Sequence, residues 1–197
     1  MIKGRTFIVS GPSGVGKSTV LGALLDRRKD IYFSVSATTR DPRKGETDGK
    51  DYHFTTLAHF QELIAQDAFL EYAEYVGNFY GTPKQYVDEA MDAGRDVILD
   101  IEVQGALQVH SKRPDTVRIF IAPPSWDELE RRLRSRGTDT QEKIAQRLLR
   151  AKVEFQTANT YDYFVINDTV EQAVRELEAI MLAEHCKPAE RMKILSE

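Results

Sequence analysis

The chain has 197 residues, of which 41% are hydrophobic and 29% charged, and its formal net charge is −4. This length suits one compact domain with small inserted subdomains rather than two independent cores. The negative net charge argues against a dedicated nucleic-acid-binding protein, and without a run of about 18 apolar residues no membrane span is expected. The single cysteine, Cys186, excludes an internal disulfide and favours a reduced, cytoplasmic location.

Apolar runs alternate with helical patterns along the chain. Strands are predicted at Thr6–Val9, Phe33–Ala37, Val97–Ile101, Val117–Ala122 and Phe164–Asn167. Amphipathic helices are predicted at about 18–28, 57–67, 83–93, 125–135, 140–158 and 170–185. Strands separated by helices predict an α/β fold, with a mostly parallel sheet flanked by helices on both faces.

The sequence GPSGVGKST, at residues 11–19, lies between the first strand and the first helix. The fixed positions of the P-loop pattern G-x-x-x-x-G-K-[ST] are filled by Gly11, Gly16, Lys17 and Ser18. A strand that turns sharply into a helix presents backbone N–H groups and the positive end of the helix dipole to phosphate oxygens. Lys17 would reach the β- and γ-phosphates, and the Ser18 hydroxyl would bind Mg²⁺. The sequence therefore predicts a nucleoside triphosphate site of the P-loop NTPase type.

Two segments interrupt the alternation of strands and helices. Residues 38–82 are too long for a connection in an α/β fold and predict a small inserted subdomain. Residues 125–150 predict two helices joined by a turn, with six arginines and a capping-box pattern of Ser125 and Glu128 at the start. The remaining core of the single predicted domain comprises residues 1–37, 83–124 and 151–197.

The run DVILD, at residues 96–100, is typical of a buried strand closed by an acidic residue, as in a Walker B element. In P-loop enzymes such a carboxylate holds Mg²⁺ or its water shell beside the phosphate loop, so Asp100 is expected to act on Mg²⁺ through a water molecule. Glu102 would share a face with Asp100 if the strand continues.

A more specific pattern starts at residue 34. The runs are SVSATTRDPR (34–43), GE (45–46), GKDYHF (49–54), FLEYA (69–73), GNFYGT (77–82), LDIEVQG (99–105) and RLRSRG (132–137). Together they closely resemble the guanylate kinase family of P-loop nucleoside monophosphate kinases, in its bacterial form. The resemblance covers about residues 5–182, and it implies that 38–82 is a GMP-binding insertion and that 125–150 is a helical lid.

For the acceptor, the resemblance implies a phosphate site made by Arg40, Arg43, Tyr52 and Tyr80. Two guanidinium groups and two phenol hydroxyls suit a dianionic phosphate.

For the acceptor's base, Glu71 matches the family's guanine reader. A carboxylate accepts two hydrogen bonds, and guanine alone among the common purines offers N1–H and N2–H₂ side by side. Ser36 matches a contact on the other side of the base. The implied GMP pocket is completed by Thr82, Asp100 and Glu102, where the family also has Ser in place of Thr82 and often Asp in place of Glu102.

For the donor, the resemblance implies ATP contacts from the phosphate loop, the lid and one asparagine. They are Gly11, Pro12, Ser13, Gly14, Val15, Gly16, Lys17, Ser18, Thr19, Arg132, Arg136 and Asn167. Arg132 and Arg136 are four residues apart and share a helix face. Charge on the transferring phosphoryl group would be neutralised by Lys17, Arg40, Arg136 and Arg147.

The implied reaction is the Mg²⁺-dependent transfer of the ATP γ-phosphoryl group to GMP, giving ADP and GDP. The acceptor is an ionised phosphate oxygen, so the reaction needs no general base. The implied partners are the small molecules ATP, GMP and dGMP, without nucleic acid or membrane, and both a monomer and a homo-oligomer stay open.

Two alternatives stay open besides this reaction. One is a related sugar-phosphate kinase, such as a ribose 1,5-bisphosphate kinase, which would have no use for Glu71 and Ser36 as guanine readers. The other is a non-catalytic guanylate kinase-like binding module, in which the phosphate loop is typically damaged, whereas the loop here is intact.

Overall fold

A computed structural model of the chain describes residues 3–135, 137, 139–188 and 192. The strands found there are β1 (Thr6–Ser10), β2 (Tyr32–Phe33), β3 (Ala37–Thr38), β4 (His53–Phe54), β5 (Phe69–Tyr75), β6 (Asn78–Pro83), β7 (Val97–Asp100), β8 (Val117–Ala122) and β9 (Tyr163–Ile166). The helices are α1 (Lys17–Arg27), α2 (Leu57–Ala65), α3 (Lys84–Asp92), α4 (Val103–Lys112), α5 (Trp126–Ser135), α6 (Gln141–Gln156) and α7 (Val170–His185), with a short 3-10 helix at Ala158–Thr160. None of the described helices is long and apolar enough to cross a membrane.

The described strands form two sheets. Five strands lie in the order β2-β7-β1-β8-β9, and the pairs β2–β7 and β8–β9 are parallel. Four strands lie in the order β4-β3-β6-β5, in which β3 pairs with β4 in parallel and with β6 antiparallel, and β5 pairs with β6 antiparallel. The five-stranded sheet, with helices between its strands along the chain, confirms the predicted α/β fold.

The chain divides into two compact units. The first unit contains residues 8–30 and the described residues from 117 onward, and the second contains residues 3–7 and 31–116. Strand β1 therefore contributes its first two residues to the second unit and its last three to the first.

In the first unit, helices α1 and α7 pack against each other through their apolar faces. The buried side chains on these faces are Val20, Leu21 and Leu24 of α1 and Ala173, Val174, Leu177 and Met181 of α7. Strand β8 lies beside the start of the phosphate loop, because a Cβ at Gly11 would come 2.3 Å from the carbonyl oxygen of Ile121. The sheet therefore determines where the loop begins.

In the second unit, helix α2 packs on the four-stranded sheet. The rings of Phe60 and Phe69 stack with their centroids 4.4 Å apart, and Ala37 and Phe79 complete this core together with apolar side chains of α2. Burying one such aromatic side chain stabilises the fold by about 1.5–3 kcal/mol.

Three predictions about local structure were wrong or incomplete. The single strand predicted at Phe33–Ala37 is interrupted at residues 34–36, and its ends belong to β2 and β3 in different sheets. Helix α4 was not predicted, because Gly105 and its polar side chains obscure its apolar positions. Strand β7 ends at Asp100, so Glu102 does not continue that strand but occupies the N-cap position of α4.

A charged cluster ties the turn after α2 to α3 and α4. Asp67, which has a left-handed φ of 49°, pairs with Lys84, at the start of α3. It also accepts a hydrogen bond of 2.8 Å from Nζ of Lys112, at the end of α4. The hydrogen bonds from Lys112 and Lys84 lower the pKa of Asp67 from its ordinary value of 3.8 to about 2.

Replacement of Asp67 by asparagine is expected to destabilise the fold in a pH-dependent way. The folded-state pKa lies below the unfolded one, so the carboxylate stabilises the fold fully above the unfolded pKa and loses this effect as the pH falls toward about 2. Urea denaturation should give Asp67→Asn a lower midpoint than the unsubstituted protein at pH 7, with a difference that shrinks below pH ~4. Asp26→Asn, which removes an exposed pair with Lys29, is the control and should change the midpoint little. A difference that is constant with pH would contradict this account.

Candidate active site

The phosphate loop of the first unit joins β1 to α1 and contains two glycines with left-handed backbone conformations. Gly14 has a φ of 96°, and Gly16, the N-cap of α1, has a φ of 85°. A Cβ at Gly14 would lie 2.7 Å from Cδ2 of Leu133, and one at Gly16 would lie 2.7 Å from Nδ2 of Asn167. Both positions therefore require glycine for conformation and for space. Helix α1 begins without a side-chain cap, as suits a helix end that receives an anion.

Two side chains hold the carbonyl group of Val15, in the middle of this loop. Nη1 of Arg132 donates to this oxygen at 3.1 Å and Nδ2 of Asn167 donates to it at 2.7 Å. Nη2 of Arg132 also donates to the backbone oxygen of Asn167, at 3.0 Å. The structure thus brings together three residues predicted to bind ATP, and it shows them bonded to one another.

Asn167 is 3% exposed, and its Oδ1 is buried with no hydrogen-bond partner among the described residues. A buried acceptor of this kind is costly unless a donor reaches it. This oxygen is therefore a place where a ligand donor would be stabilised.

A second arginine reaches the loop from helix α6. Nη1 of Arg147 donates to Oγ of Ser13 at 3.0 Å, and its Nε lies 3.3 Å from Oδ2 of Asp139 in an ion pair. Asp139 is largely buried, with 9% of its side chain exposed. Arg136, predicted as a lid arginine, lies outside the described residues.

In the second unit, a carboxylate is held out of water between two neighbouring strands. Glu71 of β5 lies opposite Thr82 of β6, and the Thr82 hydroxyl donates to Oε1 of Glu71 at 2.6 Å. Both residues are buried. Burial raises the pKa of Glu71, and the negative charge of Glu102 acts in the same direction, against the hydrogen bond from Thr82.

The Glu71 carboxylate also depends on a glycine of helix α4. A Cβ at Gly105 would lie 3.0 Å from Oε2 of Glu71 and 3.3 Å from its Cδ. A side chain at position 105 would therefore push the carboxylate aside by a few tenths of an ångström.

An aromatic and basic cluster lies in the same unit. Arg40 makes a forked pair with Glu46, with Nη2–Oε1 at 2.8 Å and Nη1–Oε2 at 3.0 Å, and lies over the Tyr52 ring with Cζ 5.3 Å from the centroid. The rings of Tyr52 and Tyr80 meet edge to face, with centroids 5.9 Å apart. Glu46 also accepts a hydrogen bond from the backbone N–H of Arg43 at 2.7 Å. Three of the four predicted phosphate-binding side chains are therefore gathered, while the Arg43 side chain is exposed.

The other residues predicted to bind GMP lie in the same unit. Ser36 is half-buried between β2 and β3, where its carbonyl accepts a hydrogen bond from the His53 backbone. Asp100 is half-buried at the end of β7 and Glu102 is exposed.

Several residues that contact the site were not singled out as site residues by the sequence reasoning. Glu46, Glu128 and Asp139 each pair with a predicted site arginine, and Gly105 accommodates Glu71. Only the Glu128–Arg132 pair had a visible signal, namely its i,i+4 spacing on a helix. The others lie in turns or on different elements, where no periodicity relates them.

A phosphate loop between the first strand and helix of a mostly parallel sheet, with arginines bound to that loop, defines the class of P-loop phosphotransferases. The sequence model of the family described as guanylate kinase matches residues 3–184. A guanylate kinase of Clostridium perfringens is 50% identical over 97% of this chain and 88% of its own length, and one of Halalkalibacterium halodurans is 53% identical over 94% and 91%. The crystal structure of a guanylate kinase from Anaplasma phagocytophilum superposes with a TM-score of 0.75 at 34% identity, covering 96% of this chain and 90% of that one.

The chain belongs to the guanylate kinase family. It is therefore an enzyme of the nucleoside monophosphate kinase class.

The contact between Gly105 and Glu71 can be tested by comparing two helical glycines. Gly22 in α1 has no described atom within 4 Å of its Cβ position, so Gly22→Ala should raise the free energy of unfolding by about 0.5–1 kcal/mol. Gly105→Ala should not gain this stability, because the added methyl group displaces the buried carboxylate of Glu71. Urea denaturation of both variants measures the difference, and an equal gain at both positions would show that the carboxylate is not constrained by Gly105.

Proposed function

We propose that this protein catalyses the Mg²⁺-dependent transfer of the γ-phosphoryl group of ATP to GMP, giving ADP and GDP. The observation that carries the proposal is the buried Glu71 carboxylate, fixed by Thr82 at 2.6 Å. A carboxylate kept from water needs donors, and the adjacent N1–H and N2–H₂ groups of guanine supply two. Adenine offers no such pair.

The acceptor's phosphate would bind at the cluster around Arg40. Glu46 already fixes the guanidinium group over the Tyr52 ring, so little side-chain freedom remains to be lost on binding. In this proposal Arg40, Tyr52 and Tyr80 bind the phosphate, and Arg43 joins them from its exposed position. The proposed contacts to the rest of GMP or dGMP are Ser36, Thr82, Asp100 and Glu102.

The donor would bind at the phosphate loop of the first unit. The loop glycines and the start of α1 suit the phosphates of ATP, and Arg147 already contacts Ser13 in that loop. The unpartnered Oδ1 of Asn167 supports its proposed place near the adenine, whose amino group is a donor. Charge on the transferring phosphoryl group would be neutralised by Lys17, Arg40, Arg136 and Arg147.

The residues present fit Mg²⁺ that arrives with the nucleotide. Ser18 is exposed in the first turn of α1, and the described residues contain no group of three or more His, Cys, Asp or Glu that could hold a metal by themselves. Mg²⁺ favours such a setting, since it keeps several waters and binds through one or two protein oxygens and the substrate phosphates. Ser18 would hold the ion and Asp100 would act on it through water, and the ion would offset the negative charge of the phosphates.

The chain's own task is alignment and the exclusion of water. The attacking group is an ionised phosphate oxygen, so the side chains need only position it and stabilise charge on the equatorial oxygens. Water competes as a nucleophile, which is why we propose that the insertion 38–82 and the lid 125–150 close over the substrates around a core of residues 1–37, 83–124 and 151–197. We also propose a cytoplasmic location, which suits these substrates and a chain with a single cysteine and therefore no internal disulfide.

A coupled assay with ATP and Mg²⁺ tests the acceptor directly. GMP should be phosphorylated, and AMP should be used less well by a factor of about 10⁴, because it leaves Glu71 without donors. CMP, UMP and ribose 1,5-bisphosphate complete the series. Preference for the ribose bisphosphate would favour a sugar-phosphate kinase, and ATP binding without phosphorylation of any acceptor would favour a binding module.

Glu71→Gln tests the guanine contact. The amide presents two donor hydrogens to a base edge that is itself made of donors, so the KM for GMP should rise by roughly 10- to 100-fold while the KM for ATP stays within a factor of about two. Glu74→Gln, on the exposed part of the same strand, is the matched control and should leave both constants unchanged. Unchanged GMP kinetics in Glu71→Gln would exclude this residue as the base reader.

A further inference from the structure

We propose that Glu128 is a positioning residue for the phosphate loop: by holding Arg132 on the carbonyl group of Val15, it keeps the loop in the shape that binds ATP. This proposal rests on the function above in taking ATP as the ligand of the loop. It gives Arg132 a task that precedes nucleotide binding, and it assigns a role to a carboxylate that has none in the proposed reaction.

Glu128 is itself fixed at the start of helix α5. Its backbone N–H donates to Oγ of Ser125 at 3.1 Å, which is one half of the predicted capping box. The side chain does not complete the box. Its Oε1 instead accepts a hydrogen bond from Nε of Arg132 at 2.7 Å, and both oxygens pair with Arg131.

The pair formed by Glu128 and Arg132 is sheltered and strongly polarised. Each of the two side chains is 21% exposed. The hydrogen bonds from Arg131 and Arg132 lower the pKa of Glu128 from its ordinary value to about 2, so the carboxylate is charged at neutral pH. A charge-assisted bond of this kind removes much of the rotational freedom that an arginine side chain otherwise keeps.

The orientation of the Val15 carbonyl group determines the direction of the Gly16 N–H in the phosphate loop. The carbonyl of Val15 and the N–H of Gly16 belong to one planar peptide unit and point in opposite directions across it. Anchoring the oxygen to Arg132 and Asn167 therefore fixes the direction of the Gly16 N–H, which is among the backbone donors that a phosphate loop uses. The glycine at position 16 tolerates many φ values, so this peptide plane would rotate easily without the two anchors.

The same helix contains a second glutamate–arginine pair that does not reach the loop. Glu130 accepts from Nε and Nη2 of Arg134, at 2.9 and 2.6 Å, with the same i,i+4 spacing. The other described bond of Arg134 goes to Gln141 rather than to the phosphate loop. Glu130 is therefore a control for charge, helix and spacing, in a pair that is more exposed, with 45% of the Arg134 and 40% of the Glu130 side chain accessible.

The experiment measures ATP binding by isothermal titration calorimetry with Mg²⁺ and without GMP. Glu128→Ala should weaken ATP binding by roughly 5- to 20-fold, whereas Glu130→Ala should change it by less than about twofold. Glu128→Gln keeps an acceptor for Nε of Arg132 and should recover part of the loss. Equal effects of Glu128→Ala and Glu130→Ala, or unchanged ATP affinity in both Glu128 variants, would overturn the proposal.

A double-mutant cycle separates positioning from general destabilisation. If Glu128 acts through Arg132, then Glu128→Ala should weaken ATP binding little further in an Arg132→Ala background. Fully additive losses would show that Glu128 acts by another route and would overturn the proposal. The KM for GMP should stay constant in Glu128→Gln while the KM for ATP rises, which a loss of overall stability would not produce.

These measurements are independent of the acceptor. A protein that binds ATP but phosphorylates no GMP would refute the proposed function and leave the comparison of Glu128 with Glu130 intact. Conversely, equal ATP affinities in that comparison would refute the role of Glu128 and leave the proposed reaction untouched.

Discussion

A carboxylate kept almost out of water is the constraint around which much of the second unit is arranged. An ionised group in such a place is unfavourable unless hydrogen bonds and space are supplied around it. The register of β5 against β6 places the Thr82 hydroxyl opposite Glu71, and the absence of a side chain at Gly105 leaves room for the second oxygen. Strands β5 and β6 and helix α4 together therefore determine where the two carboxylate oxygens of Glu71 lie. The pKa of Glu71 stays raised because the hydrogen bonds from Thr82 do not fully offset the effect of burial.

Arginines expected to meet phosphates are already paired with carboxylates in both units. The pairs are Arg40–Glu46, Arg132–Glu128 and Arg147–Asp139. Hydrogen bonds from arginines lower the pKa values of Glu46 and Glu128, so these acids stay ionised and keep the guanidinium groups in defined places. A chain with a net charge of −4 can thus gather positive groups locally without strong repulsion among them. These pairs hold the arginine side chains in place before a nucleotide binds.

Local patterns in the sequence predicted those elements of the fold that a motif or a continuous apolar run marks. The phosphate loop and strands β1, β7, β8 and β9 were predicted because fixed spacing or a continuous apolar run marks each of them. Strands β5 and β6 were missed because the far half of β5 is exposed and β6 is mostly half-buried, so that neither shows a clear alternation. The bond between Asn167 and Val15 joins residues 152 positions apart, and no periodicity relates such a pair. The proposed guanine reader Glu71 and the proposed phosphate site were predicted through resemblance to a family. Of the acids that orient the arginines, only Glu128 had a signal in the sequence, namely its i,i+4 spacing from Arg132.

The contact of helix α5 with the phosphate loop has a consequence for how the segment 125–150 can move. Arg132 is bonded to Val15, and Leu133 fills the space beside Gly14 that a Cβ would occupy. A swing of the whole segment as one rigid body would break these contacts and uncover Leu129 and Leu133, which are fully buried. The burial of these two leucines therefore opposes any movement of helix α5 away from the phosphate loop. Helix α6 is held to the same loop by the bond from Arg147 to Ser13, so closure over a nucleotide would have to keep or exchange these contacts.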